Sequence, residues 1–196
     1  MALVKIILGS TRPNRFGIQP AEWVMKQAEQ VTEHQFELID LKDVDLPLLD
    51  EPTPPMMRQY TKDHTKAWSQ MIEEADGFIF VTGEYNHSVP AALKNAIDYL
   101  FEEWNYKPVS YVSYGSLAGG ARAVEHLRGI CGELRMYDLR EQLLMPDYYH
   151  HLDEEGLHKF EDSHAEQIQL ILDHTGFWAD KLKDARKELH EMNEPT

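Results

Sequence analysis

The apolar run at residues 77–82, GFIFVT, constrains the fold of this chain more than any other stretch. An apolar run without polar alternation is typical of a strand that is buried on both faces, as at the centre of a parallel sheet. Other β-type runs lie at residues 3–9, 36–41, 109–113 and 135–139, and stretches with helical spacing of apolar residues separate them. Packing rules convert this alternation into one mostly parallel sheet with helices on both faces. The sequence therefore predicts an α/β fold.

The length of 196 residues fits one α/β domain. Helical periodicity predicts helices at residues 16–33, 60–75, 91–101 and 118–134, and a long, acidic helical segment at about 158–193 in which Gly176 is a candidate bend. Four prolines between positions 47 and 55 exclude a regular helix there and predict a surface loop. We expect residues 1–196 to form a single domain.

The charge balance and the single cysteine exclude several classes of protein. With 19 Lys and Arg against 34 Asp and Glu, the net charge of −15 disfavours nucleic acid and anionic membranes as partners. One cysteine, Cys131, allows no intrachain disulfide, and its apolar helical context predicts a core position. The amino-terminal stretch lacks the basic flank and cleavage site of a signal peptide, and no apolar run reaches membrane-spanning length. We therefore expect a cytoplasmic location.

The loop at residues 9–17, GSTRPNRFG, directly follows the first predicted strand and leads into a helix. Backbone N–H groups at a helix start, together with the Ser10 hydroxyl, Arg12 and Arg15, favour a bound anion. The loop lacks the signatures of triphosphate and dinucleotide sites, so a single terminal phosphate fits it best. An ordinary polar turn is the alternative for this loop taken alone.

Two further loops follow the third and fourth predicted strands and should meet the first at the carboxyl edge of the sheet. Residues 83–90, GEYNHSVP, combine Tyr85, Asn86 and His87, which offer stacking surface and donors for a flat heteroaromatic ring. No carboxylate partner for His87 can be identified, so we favour a shaping role for it over acid–base chemistry. In residues 113–122, SYGSLAGGAR, the glycines permit either close approach of a ligand or a tight turn, and both explanations stay open.

Histidines and carboxylates also cluster at residues 147–164, but they lack the i, i+4 spacing of helical metal ligands. A solvated surface explains them better, so we predict no metal site. The sequence contains no Gly-x-Ser-x-Gly motif, which argues against an α/β-hydrolase.

Together, the blocks GSTRPNRFG, TGEYNHSVPAALKNAIDYL and VSYGSLAGGARAVEHLR resemble the NADPH-dependent FMN reductase family over about residues 3–140. The resemblance implies a flavodoxin-like three-layer sandwich with a five-stranded parallel sheet in the order 2-1-3-4-5. It also implies non-covalent FMN, NADPH or NADH as co-substrate, and a homodimer or homotetramer. By position, the family's cofactor-binding residues correspond to Ser10, Arg12, Arg15, Gly17, Glu84, Tyr85, Asn86, His87, Ser113 and Gly115.

The sequence departs from the family at two positions. Gly83 stands where the family commonly has proline, which should loosen the second loop, and Arg15 stands where it often has serine. We also expect Trp104 and Tyr106 to form an aromatic wall over the flavin of a neighbouring subunit.

The leading functional prediction is an NAD(P)H-dependent reductase. Hydride passes to the flavin N5 atom and onward to free flavin, a quinone or an azo compound, without a catalytic side chain. A flavodoxin-like electron carrier or redox sensor is the alternative, since an acidic surface suits a basic redox partner. A fold that has lost its flavin and serves as an interaction module is the third possibility.

Overall fold

A computed structural model of the protein describes residues 1–193, apart from the side chains of His190 and Asn193. Five strands form one sheet in which every neighbouring pair is parallel. In chain order they are β1 (Leu3–Leu8), β2 (Gln35–Asp40), β3 (Gly77–Gly83), β4 (Pro108–Tyr114) and β5 (Tyr137–Met145). Their order across the sheet is β2-β1-β3-β4-β5, so the predicted α/β fold and strand order are confirmed.

Within residues 1–193, six α-helices connect or follow the strands. They are α1 (Ile18–Ala28), α2 (Leu41–Val44), α3 (Asp63–Glu73), α4 (Ala91–Asp98), α5 (Ala121–Glu133) and α6 (Asp162–Asn193). The proline-rich stretch is irregular except for a 3₁₀ turn at Pro55–Met57, as its composition predicts. In the part of the chain that the structure describes, no helix combines the length and the apolar character needed to cross a bilayer.

The helices cover both faces of the sheet, and β3 explains why. Its side chains alternate between two apolar cores: Phe78 and Phe80 pack on one face, and Ile79 and Val81 on the other. Helices α3, α4 and α5 bury their apolar sides in the first core, and α1 and α6 bury theirs in the second. Every residue of β3 is buried, which is the environment that its uninterrupted apolar run requires.

The fifth strand is longer than predicted and begins later. The sequence predicts a strand at residues 135–139, whereas β5 spans Tyr137–Met145. This strand lies at the edge of the sheet and buries only one side, through Leu139, Leu143 and Met145. Its exposed positions carry polar residues, which interrupt the apolar run that a central strand would show.

Two further expectations are wrong. Helix α6 continues through Gly176 without a break, and the glycine there permits close packing, since a Cβ at this position would lie 2.3 Å from Cδ2 of His34. Trp104 forms no aromatic wall at the surface. It is fully buried in the first core, where its Nε1 donates a hydrogen bond to the Ile97 carbonyl at 3.2 Å.

Candidate functional site

Three loops meet at the carboxyl edge of the sheet, where β1, β3 and β4 lie side by side. Each loop joins one of these strands to the next helix: residues 9–17 after β1, 84–90 after β3 and 115–120 after β4. A 2.7 Å hydrogen bond between the Ser10 and Tyr85 hydroxyls links the first loop to the second. This crevice is the usual ligand site of an open parallel sheet.

The first loop offers several backbone N–H groups that no acceptor in the described residues holds. Among the described residues, no backbone N–H from Ser10 to Gly17 donates a hydrogen bond, whereas the Gly9 N–H is held by the Val81 carbonyl at 2.9 Å. The loop ends at Gly17, directly before the amino terminus of α1. Free N–H groups at the positive end of a helix dipole form a site for an anion.

The two arginines of this loop have different environments. Arg12 is exposed and forms no ion pair within residues 1–193. Arg15 is nearly buried, and its guanidinium contacts the carboxylate of Asp40 at the end of β2. The Nε atom of Arg15 is buried without a hydrogen-bond partner in the described part of the chain. A buried donor of this kind requires an acceptor, which a phosphate oxygen would provide.

The second loop forms a tight turn. The N–H of Tyr85 donates to the Ser88 carbonyl at 2.8 Å, and the N–H of Ser88 donates back to Tyr85 at 3.0 Å. The two central residues, Asn86 and His87, have φ values of 50° and 66°, which is the geometry of a type I′ turn. Both side chains are exposed, and neither backbone N–H donates a hydrogen bond in the described structure. The turn therefore presents free polar groups at its tip.

Glu84 is committed to another residue of the protein. Its Oε1 accepts a hydrogen bond from Arg122 Nε at 2.5 Å, its Oε2 accepts one from the Arg122 backbone at 3.2 Å, and its side chain is almost buried. One helical turn further along α5, Nδ1 of His126 lies 3.0 Å from the Ser88 hydroxyl. The first two turns of α5 thus hold the second loop at both ends, and Glu84 positions the loop instead of offering a free carboxylate.

The third loop is shaped by the two residues predicted there. Ser113 is fully buried, and its hydroxyl donates to the Gly119 carbonyl at 2.9 Å. The Gly115 N–H donates to the Met145 carbonyl at 3.3 Å. Gly119 and Gly120 have φ values of 58° and 88°, which favour glycine. The tight-turn explanation therefore applies to these glycines.

Sequence reasoning missed Tyr114 and misjudged Gly83. Tyr114 is only 5% exposed and ends β4 directly before the third loop, a position that could have marked it. Gly83 does not loosen the second loop, because it is the last residue of β3 and pairs with Tyr114 across the sheet. A Cβ on Gly83 would lie 2.8 Å from the Tyr114 ring.

Other candidate groups lie away from this edge or form no site. Cys131 is buried in the first core, and burial raises the pKa of its thiol to about 12, so it is a core residue as predicted. In residues 1–193, no group of three or more His, Cys, Asp or Glu side chains has an arrangement that could hold a metal ion.

The residues at the carboxyl edge fit FMN. Free N–H groups, Arg12 and the unpartnered Nε of Arg15 suit its terminal phosphate. The turn with free polar groups at Asn86 and His87 suits the edge of its ring system. The two sets of groups are joined by the contact between Ser10 and Tyr85, so one molecule can engage both.

Comparison with known proteins agrees with this fit. The sequence model of the NADPH-dependent FMN reductase family matches residues 2–150. A Schizosaccharomyces pombe NAD(P)H-dependent FMN reductase is 44% identical over 135 residues, which cover 68% of this chain and 67% of the relative. A 2-hydroxy-1,4-benzoquinone reductase of a Burkholderia species is 34% identical over 145 residues, which cover 68% of this chain and 75% of the relative.

Among solved structures, the flavoenzyme NAD(P)H:(acceptor) oxidoreductase FerB of Paracoccus denitrificans has the same fold, with a TM-score of 0.71. The match covers 92% of this chain and 98% of FerB at 21% identity. The family match over residues 2–150 confirms the resemblance carried by the three loop sequences. The chain therefore belongs to the NADPH-dependent FMN reductase family, as an oxidoreductase that uses FMN as cofactor and NAD(P)H as electron donor.

Proposed function

We propose that the protein oxidises NADPH or NADH at bound FMN and delivers two electrons to a small-molecule acceptor of the quinone class. The observation that carries the proposal is the carboxyl edge of the sheet, where free backbone donors and Arg12 lie beside the turn at Asn86 and His87. The quinone class is supported by the Burkholderia relative, whose name states a benzoquinone substrate. When bound, FMN supplies the hydride and electron chemistry, and the chain binds and orients it.

The proposed roles of the predicted residues follow from their surroundings. Ser10, Arg12, Arg15 and the backbone up to Gly17 hold the phosphate, and Tyr85, Asn86 and His87 line the ring. Glu84, Ser113 and Gly115 act indirectly, by fixing the second and third loops. No side chain is assigned as a proton donor, because no hydrogen bond or ion pair joins His87 to a carboxylate among the described residues.

The test is steady-state oxidation of NADH and NADPH by the purified protein, with benzoquinone, free flavin or an azo dye as acceptor. We expect a visible flavin spectrum and oxidation that requires both FMN and an acceptor, fastest with the quinone. A flavin-loaded protein that oxidises neither nucleotide contradicts the proposal.

An electron carrier is the competing function, and the net charge of −15 is the observation that favours it. Such a carrier would accumulate a stable one-electron semiquinone on photoreduction without nucleotide turnover. Arg12 and Arg15 favour the reductase, because flavodoxins hold the phosphate in loops that lack arginine.

We further propose that the whole chain is one domain in a cytoplasmic homodimer or homotetramer. A cleft of about 1070 Å³ beside α4 and α5, with the exposed Met56 and the partly buried Phe101 and Ile130 in its lining, offers apolar surface for a second copy. A single buried cysteine needs no oxidising compartment. Size-exclusion chromatography with light scattering measures the mass of the assembly. A monomer at micromolar concentration would contradict the proposed homodimer or homotetramer.

A further inference from the structure

Tyr114, the last residue of β4, lies between two glycines of the site. A Cβ on Gly17 would lie 2.5 Å from Tyr114 Oη, and a Cβ on Gly83 would lie 2.8 Å from Tyr114 Cε2. Atoms in a close-packed interior do not approach so closely. The Tyr114 ring therefore occupies the volume that side chains at positions 17 and 83 would need.

The hydroxyl end of this ring lies at the phosphate-binding loop. Gly17 ends that loop beside the Tyr114 hydroxyl, and the charge of Arg12, in the same loop, weakly opposes the effect of burial on the Tyr114 pKa. Burial raises this pKa well above its usual value, so the phenol is protonated at neutral pH and can donate a hydrogen bond. The rings of Phe16 and Tyr148 pack edge-on against it at 5.1 and 5.6 Å and fix its orientation.

We infer that Tyr114 is a further FMN-binding residue, which donates a hydrogen bond to the cofactor phosphate beside Ser10 and whose ring requires glycine at positions 17 and 83. The inference rests on the FMN site of the proposed function and adds a residue to it. A neutral donor in a fixed position favours FMN over riboflavin, because only FMN offers a charged acceptor there.

The test is titration of the apoprotein with FMN and, separately, with riboflavin, followed by flavin fluorescence. Tyr114→Phe removes the hydroxyl and keeps the ring. We expect it to weaken FMN binding about tenfold or more, the effect of losing a hydrogen bond to a charged group, and to leave riboflavin binding unchanged. The control is Tyr111→Phe, which removes a phenol on the same strand whose partner is Asp138, at 2.6 Å. This control should leave both flavin affinities unchanged.

A double-mutant cycle tests whether the Tyr114 ring is the reason that position 83 requires glycine. Gly83→Ala alone should weaken FMN binding, because the added methyl group would displace the Tyr114 ring. In a Tyr114→Ser background the same change should have little further effect, since the ring is gone. Thermal melting of each apoprotein separates loss of cofactor binding from loss of folding.

Unchanged FMN affinity in Tyr114→Phe overturns the inference, and so does an equal loss of FMN and riboflavin affinity. Additive effects in the cycle overturn the claim that Gly83 is needed for the ring. A wild-type protein that binds FMN but does not oxidise NAD(P)H counts against the proposed function alone.

Discussion

Arg12 and Arg15 lie three residues apart in one loop, but only one of them has its charge balanced by the protein. The Arg15 guanidinium contacts Asp40, which neutralises most of its field, while its buried Nε stays available. Arg12 is exposed and forms no ion pair in the described residues. The electrostatic attraction for an incoming phosphate therefore comes mainly from Arg12.

We expect Arg12→Ala to weaken FMN binding by roughly 1.5–3 kcal/mol, the range for a charge-assisted hydrogen bond. Flavin-fluorescence titration measures this change, and the effect should shrink at high salt because Arg12 is exposed. Arg140→Ala is a matched control, since it removes the same charge from an exposed position on β5. Equal affinities of the two variants would count against a phosphate role for Arg12.

At the scale of single residues, the sequence predicted which loops carry the candidate site, but not which partners their side chains contact. The loops that carry the site followed from strand ends, which is a local signal. That Glu84 binds Arg122, 38 residues further along the chain, depends on how α5 packs. Tyr114 was missed for the same reason, because its role depends on glycines from two other elements.

Among the elements, the segment between β5 and α6 packs against the phosphate-binding loop and α1. Tyr148 stacks on Phe16 with ring centroids 4.0 Å apart, and Phe160 stacks on Trp23 at 4.2 Å. The Gln19 side chain donates to the Gly156 carbonyl at 2.9 Å and accepts from a backbone N–H of the same segment at 2.7 Å. The segment therefore holds the start of α1 in place beside the candidate anion site.

His158 makes this segment sensitive to acid. It is 9% exposed, its Nδ1 has no hydrogen-bond partner among the described residues, and His164 and His151 are its cationic neighbours when protonated. Burial and, to a lesser degree, these two histidines lower its pKa to about 4, against the weaker opposing effect of Glu161. The folded protein therefore favours the neutral imidazole.

The sign of the pH dependence follows from that lowered pKa. The stability contributed by neutral His158 is present above the unfolded-state value of 6.5 and is lost as pH falls towards about 4. The unfolding free energy of the wild type should fall across this pH range by roughly 2–3 kcal/mol more than that of His158→Gln, which lacks the titrating imidazole. Urea titrations at several pH values measure it. His150→Gln, an exposed position in the same segment, is the control, and matching pH profiles for the two variants would exclude His158 as the cause.

Across the whole molecule, topology could be predicted from the sequence because strand and helix periods are local properties that convert into a sheet through general packing rules. The limits of β5 could not, because an edge strand carries polar residues on its exposed side. The role of Gly176 in α6 could not be predicted either, since it depends on contact with His34, far away in the chain.

The carboxyl and amino ends of the strands, here the carboxyl edge and the amino edge of the sheet, have different roles. The carboxyl edge carries the candidate site, and the amino edge carries an ionic cluster centred on the buried Asp76. Asp76 accepts hydrogen bonds from the Leu3 N–H at 3.0 Å, Lys183 at 2.8 Å and Arg186 at 2.7 Å. It thereby ties α6 to the first and central strands at the end of the sheet that faces away from the flavin loops.

This division predicts a variant that loses stability without losing cofactor affinity. Asp76→Asn keeps the shape of the side chain but removes the charge that Lys183 and Arg186 share, so it should cost roughly 2–4 kcal/mol of unfolding free energy. Denaturant titration of the apoprotein measures that cost. Below the transition, FMN affinity should equal that of the wild type, because the partners of Asp76 in the described part of the chain are Leu3, Lys183 and Arg186, and none of them belongs to the carboxyl-edge loops. Asp184→Asn, which removes an exposed carboxylate of α6 at 3.7 Å from Lys187, should leave both quantities almost unchanged. A loss of FMN affinity in Asp76→Asn under folding conditions would show that the two edges are coupled through the sheet.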